Sequence, residues 1–145
     1  MKRIGIVLLL VVLGAATASI GAEDTGAYKV IVNPANPTTQ LSRLKLGEMF
    51  LRKAGRWPDG IPVSPMEPSG KSPVRARFSQ ETYGKPVIAI SAYWQQMIFS
   101  GKGVPPPERS NDADIVAFVR ETNGAIGYVG SGADLSGVKV VAIVD

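Results

Sequence analysis

The segment Ser69-Gly70-Lys71-Ser72-Pro73-Val74-Arg75 gathers more chemistry than any other stretch of this chain. Ser72-Pro73 reads as a helix cap followed by a first helical residue, because proline's missing N–H is no loss there. A helix start carries unpaired amides and partial positive charge, and Lys71 and Arg75 add full charges beside the Ser72 hydroxyl. Those parts suit a small oxyanion, so Lys71, Ser72 and Arg75 are the candidate ligand-binding residues. The bland alternative is that Ser72 only caps its own helix while the two cations, expected outside the core, are solvated.

Other readings of the same residue types fail on their own requirements. Gly70-Lys71-Ser72 resembles the end of a nucleotide-binding loop, but the glycine needed five positions earlier is Pro65. Ser42-Arg43-Leu44-Lys45 and Ser136-Gly137-Val138-Lys139 share the spacing of penicillin-recognising enzymes without the partner motifs. The chain has no histidine and no cysteine. That removes histidine-based nucleophile systems, the two best zinc ligands and any disulfide, and the chain reads as no enzyme, with no cofactor and no metal site. Tyr93, Trp94 and Phe99 resemble a ligand platform, yet their helical spacing with Met97 and Ile98 predicts core.

The elements that must position these residues follow from periodicity and punctuation. Tyr28 to Val32 is β-branched and ends at Asn33-Pro34, which predicts a strand. Ser42 caps a helix carrying Leu46, Met49 and Phe50 to about Leu51. Arg52, Lys53 and Arg56 form the only local basic cluster, read as a solvated helix end. A short strand is predicted at Ile61 to Ser64, after which Pro65, Pro68 and Gly70 predict a loop. The helix from Pro73 should stop before Gly84. A longer one after Pro86 aligns Val87, Ile90, Trp94, Met97 and Ile98, and ends at Gly101 and Gly103. Pro105-Pro106-Pro107 is a stiff connector to a helix from about Asn111 to Glu121 that buries Ile115, Phe118 and Val119. Strands are predicted at Ala125 to Val129 and Val138 to Val144. Strands alternating with helices predict an α/β fold: a three-layer sandwich with a mostly parallel sheet of about four strands.

Length and charge set the frame. Lys2 and Arg3, the apolar run Ile4 to Leu13 and the small residues that follow predict a signal peptide over residues 1–22, with cleavage after Ala18 competing. The apolar run is shorter than the ~20 residues of a membrane span, so none is expected after cleavage. Residues 23–145 then form one domain, periplasmic or secreted. Losing Lys2 and Arg3 takes the net charge from +4 to +2, which argues against a nucleic-acid partner.

At these residues the chain resembles a known family, the substrate-binding proteins of phosphate ABC transporters, of the type II periplasmic binding fold. The likeness rests on Val30-Ile31-Val32-Asn33-Pro34, on Met49-Phe50-Leu51 with Arg56-Trp57-Pro58-Asp59-Gly60, on Ser72 through Phe78, and on Gly124-Ala125-Ile126-Gly127-Tyr128-Val129. The resemblance implies one lobe of a periplasmic-binding-protein-like fold, similar to the second lobe only, which in the family closes with the first on an anion. It also implies a phosphate-like oxyanion as ligand and an ABC permease as partner. Ser72 matches the family's serine, while Lys71 and Pro73 stand for glycines and Val74 for a threonine. Pro68 holds the place of the family's arginine and Gly70 that of its acid. Weak or altered anion binding is the resulting expectation, and an interaction module contacting another envelope protein is the alternative.

Overall fold

The computed structural model describes residues 25–145. The expected signal peptide at 1–22 lies outside the described residues. The chain forms β1 (Tyr28–Val32), β2 (Gln40–Ser42), α1 (Arg43–Phe50), β3 (Ser64–Pro68), α2 (Pro73–Tyr83), α3 (Val87–Phe99), β4 (Glu108–Arg109), α4 (Asp112–Glu121), β5 (Ala125–Gly130) and β6 (Lys139–Val144). The sheet order is β2-β6-β1-β5-β3-β4. Pairings β2 with β6, β3 with β5 and β3 with β4 are parallel, and only β1 runs against both its neighbours. The mostly parallel α/β sandwich expected from the sequence is therefore present. Four strands are five or six residues long, and the two short edge strands β2 and β4 complete the sheet.

Alternation of side chains along β1 and β5 divides the core into two layers. On one face Val30, Val32, Ile126 and Tyr128 meet Leu46, Met49 and Phe50 of α1 and Val74 and Phe78 of α2. Tyr128 stacks on Phe78 with ring centres 3.7 Å apart, and Phe50 meets both rings edge-on. On the other face Ile31, Met66, Ala125 and Val129 meet Ile115, Val116 and Val119 of α4. Gly127 permits that approach, since a Cβ there would lie 2.8 Å from Ile115 Cγ2. Asn33 fixes the far end of α4 by donating to the carbonyls of Val119 and Arg120, each at 3.0 Å. Trp57 closes the loop before β3, its indole N–H donating to the Gly124 carbonyl at 2.8 Å.

Three expectations are corrected. The strand predicted at Ile61 to Ser64 is instead β3 at Ser64–Pro68, so Pro65 and Pro68 lie in a strand and not in a loop. Ser64 donates toward Gly124 beside β5, whereas Glu67 and Ser69 donate to Pro107 and Arg109 on the β4 side. Alternation puts the Pro65 nitrogen on the β4 side before β4 begins, and the Pro68 nitrogen on the β5 side beyond the last registered pair, Met66 with Gly127. Neither proline interrupts a ladder bond. Phe99 is 92% exposed and Ile98 also faces outward, because α3 packs on α2 and buries only Ile90 and Trp94. Arg75, expected outside the core, is buried.

The narrow buried stripe of α3 generates a contrast. Trp94→Ala is expected to cost about 3–5 kcal/mol, as for a buried aromatic, while Phe99→Ala should change stability by less than about 0.5 kcal/mol. Urea unfolding of both variants checks the register, and equal midpoints would show it to be wrong.

Candidate functional site

The turn Ser69 to Ser72 links the carboxyl end of β3 to the start of α2. Open α/β sheets take ligands at the carboxyl ends of their parallel strands. Within the turn Ser72 donates its amide to the Ser69 carbonyl at 2.9 Å. Ser72 is the N-cap of α2, and its hydroxyl accepts from Val74 N at 3.2 Å. Pro73 has no amide hydrogen, and Ala76 donates to the Ser72 carbonyl at 3.1 Å. Much of the donor capacity of this helix start is thus already used within the turn. Lys71 is exposed and adjoins the cap. Gly84 ends α2 in the left-handed conformation, as its place after Tyr83 predicts.

Arg75, one turn into α2, points back under β3 and not out beside Lys71. Its Nη2 lies 3.2 Å from Glu67 Oε2, with both side chains almost fully buried. Its Nη1 donates to the Pro68 carbonyl at 3.0 Å and to Glu108 Oε1 in a close ion pair. Glu67 Oε1 accepts from the Tyr128 hydroxyl at 3.3 Å. Four elements, β3, α2, β4 and β5, are thereby joined through one guanidinium. The sequence brings Lys71 and Ser72 together at the turn as expected, and Arg75 stands on the inner side of the same turn.

Glu67, Glu108 and Tyr128 are members of this cluster that sequence reasoning did not single out. Glu67 lies between Met66 and Pro68 in a buried strand, an acid with no local partner, and Arg75 eight residues later is the nearest arginine after it. That pairing was the available signal. Burial pushes the Glu67 carboxyl up to about 7, against the pull of Arg75 and the Tyr128 hydroxyl. Burial, reinforced by the Glu67 charge, also raises Tyr128 well above its ordinary range. Arg75 is opposed by burial, but Glu67 and Glu108 more than compensate and its pKa rises. One guanidinium facing two carboxylates leaves an excess negative charge, which a proton on Glu67 relieves.

A second helix starts at the same end of the sheet. Asn111 caps α4 by accepting from Asp114 N at 2.9 Å, and Asp112 and Asp114 occupy its first turn. Asp112 accepts from Gly130 N at 3.3 Å. Gly130 lies between the two helix starts, since a Cβ on it would stand 3.0 Å from Asp112 Oδ2 and 3.8 Å from Val74 Cγ2. The start of α4 is thus supplied with carboxylates from its own first turn, whereas at α2 the carboxylates of Glu67 and Glu108 pair with Arg75. Among the described residues no helix is long and apolar enough to cross a membrane.

No protein-family model matches the sequence, and no curated protein does. Solved structures do match. An ABC-type phosphate transport receptor from Vibrio cholerae is similar over 81% of this chain and 46% of its own, at 16% identity and a TM-score of 0.64. A putative phosphate ABC transporter substrate-binding protein with bound phosphate from Clostridium perfringens is similar over 81% and 44%, at 17% identity and a TM-score of 0.63. A possible phosphate binding protein from Planctomyces limnophilus is similar over 82% and 42%, at 22% identity and a TM-score of 0.63. The chain spans less than half the length of each. It has the fold of one lobe of a periplasmic-binding-protein-like molecule, as the resemblance implied.

The cluster carries a pH dependence whose sign is fixed. An unfolded glutamate titrates near 4.5, and Glu67 in the fold near 7. Between those values the folded form holds more protons, so stability contributed by neutral Glu67 is fully present below pH 4.5 and is lost as pH rises through 7. The loss should be about 3 kcal/mol. Urea unfolding of the parent and Glu67→Gln at pH 4.5 and above 7 isolates it: the variant should lack the decline, and a parent that declines no more than the variant would contradict the assignment.

Proposed function

We propose that this chain is an extracytoplasmic solute-binding-type domain that takes small oxyanions weakly, at the turn carrying Lys71 and Ser72. The observation that supports this most is the position of the turn: it joins the carboxyl end of a parallel strand to the start of a helix, beside an exposed lysine, in a fold otherwise seen in phosphate receptors. Electrostatics supplies attraction, and the Ser72 hydroxyl, with its own proton available, supplies direction. Affinity is limited for stated reasons. Pro73 lacks an amide proton, Arg75 already faces Glu67 and Glu108, and the lobe offers one wall of a cleft where strong sites enclose most of a ligand.

A second reading, a module that contacts another envelope protein, is favoured by one observation. The outer side of α3 leaves Ile88 and Phe99 largely exposed, 78% and 92%. An ABC permease is the partner expected if the domain serves uptake, and a different envelope protein if it does not.

Calorimetry with inorganic phosphate and sulfate at low salt tests the first reading. The expected dissociation constant is weaker than about 10 μM, less than roughly 7 kcal/mol. Binding should weaken with added salt and with Lys71→Ala, which leaves the fold intact because Lys71 is exposed. Arg75→Ala is unsuitable as a companion change, since removing one partner of a buried pair costs about 3–5 kcal/mol of stability. No heat at millimolar phosphate would favour the interaction module, and tight binding indifferent to Lys71 would place the ligand elsewhere.

A further inference from the structure

We propose that the Glu108 carboxylate is a built-in competitor at the oxyanion site, occupying the place between Arg75 and the Ser69–Ser72 turn that a free phosphate-like anion would take once Glu108 withdraws. This inference rests on the reading of that turn as an anion site and adds its regulation. Glu108 Oε1 is paired with Arg75 Nη1 and lies 4.0 Å from the point where a Cβ on Gly70 would stand. The carboxylate is therefore next to the turn and also against the guanidinium that sequence reasoning assigned to the site.

The two acids around Arg75 differ in how firmly they are held. Glu67 lies inside β3, is almost wholly buried, and is bonded to Arg75 on one oxygen and to Tyr128 on the other. Displacing it would take from Arg75 Nη2 and from the buried Tyr128 hydroxyl the acceptor that each has in Glu67. The Glu108 side chain is 49% exposed. It projects from β4, an edge strand of two residues in register with Glu67 and Pro68 only. Solvent already reaches the carboxylate, so an oxyanion arriving from solution can exchange with it without opening the core.

Charge favours the exchange in one direction. Above pH 7, where Glu67 is ionised, the cluster with Glu108 in place holds two carboxylates against one guanidinium, and an approaching anion meets net negative charge that Lys71 only balances. With the carboxylate removed, ionised Glu67 and Arg75 cancel, Arg75 Nη1 keeps the Pro68 carbonyl, and Lys71 on the adjoining turn is left as excess positive charge. A charge-assisted bond from guanidinium to an oxyanion is stronger than a neutral one, so the gain on removing the competitor should be large.

Phosphate calorimetry on the full chain and on Glu108→Ala and Glu108→Gln tests this. Both variants should bind inorganic phosphate at least about tenfold more tightly than the parent, and adding Lys71→Ala should reverse the gain. Variants that bind no better than a parent showing weak, Lys71-dependent binding would overturn the competitor role and leave the anion site standing. Parent and variants all silent at millimolar phosphate would overturn both. Circular dichroism accompanies each titration; loss of the fold in both variants would also overturn the proposal, because it would make Glu108 a structural support and not a displaceable group.

Discussion

A guanidinium buried under the end of a strand has to be answered by acceptors fixed in place, and Arg75 obliges four elements to supply them. β3 gives the Glu67 carboxylate and the Pro68 carbonyl, β4 gives Glu108, and β5 gives Tyr128 to hold Glu67 in turn. The start of α2 is tied to the sheet by this contact on one side and by Phe78 stacked on Tyr128 on the other. Desolvating an ion pair offsets most of its attraction, so the cluster adds little net stability compared with an apolar core. Its effect is to fix where α2 begins, and with it the turn from Ser69 to Ser72.

The same end of the sheet shows how the chain answers its own positive groups. Two helix starts converge there, an arrangement that concentrates partial positive charge. At α4 that charge meets Asp112 and Asp114, and at α2 Arg75 meets Glu67 and Glu108. Lys71 is the cation of the turn left facing solvent. The fold shared with these solved structures thus comes here with a charge arrangement in which Arg75 and the start of α4 are both faced by carboxylates of the chain itself.

Legibility in the sequence followed the range of the interactions. β1, α1 with its Ser42 cap, α2 between Ser72 and Gly84, and β5 are specified by neighbours within a few residues, and they lie where the pattern placed them. β3 lies elsewhere than the pattern placed it because its prolines are harmless only when the positions of β4 and β5 are known, information from residues 41 and 61 positions away. Phe99 continues the apolar pattern of α3, yet that helix packs on α2 through a narrow stripe that buries Ile90 and Trp94 and leaves Phe99 outside it. The candidate site was half legible. Ser72-Pro73 announces a helix start locally, whereas the burial of Arg75 depends on Glu108, 33 residues on, and on a strand too short to leave a periodic signal.

Arg75 and Glu67 form a coupled pair that fixes the start of α2, and a double-mutant cycle measures that coupling directly. Arg75→Met, Glu67→Met and the double variant should be unfolded in urea above pH 7, where Glu67 is ionised. Each single change leaves one member of the buried pair without the other, whereas the double change leaves two apolar side chains of similar length. The double variant should be more stable than the sum of the single effects allows, by about 2 kcal/mol or more. Single effects that simply add, within about 0.5 kcal/mol, would show that the two side chains act independently and would contradict the coupling.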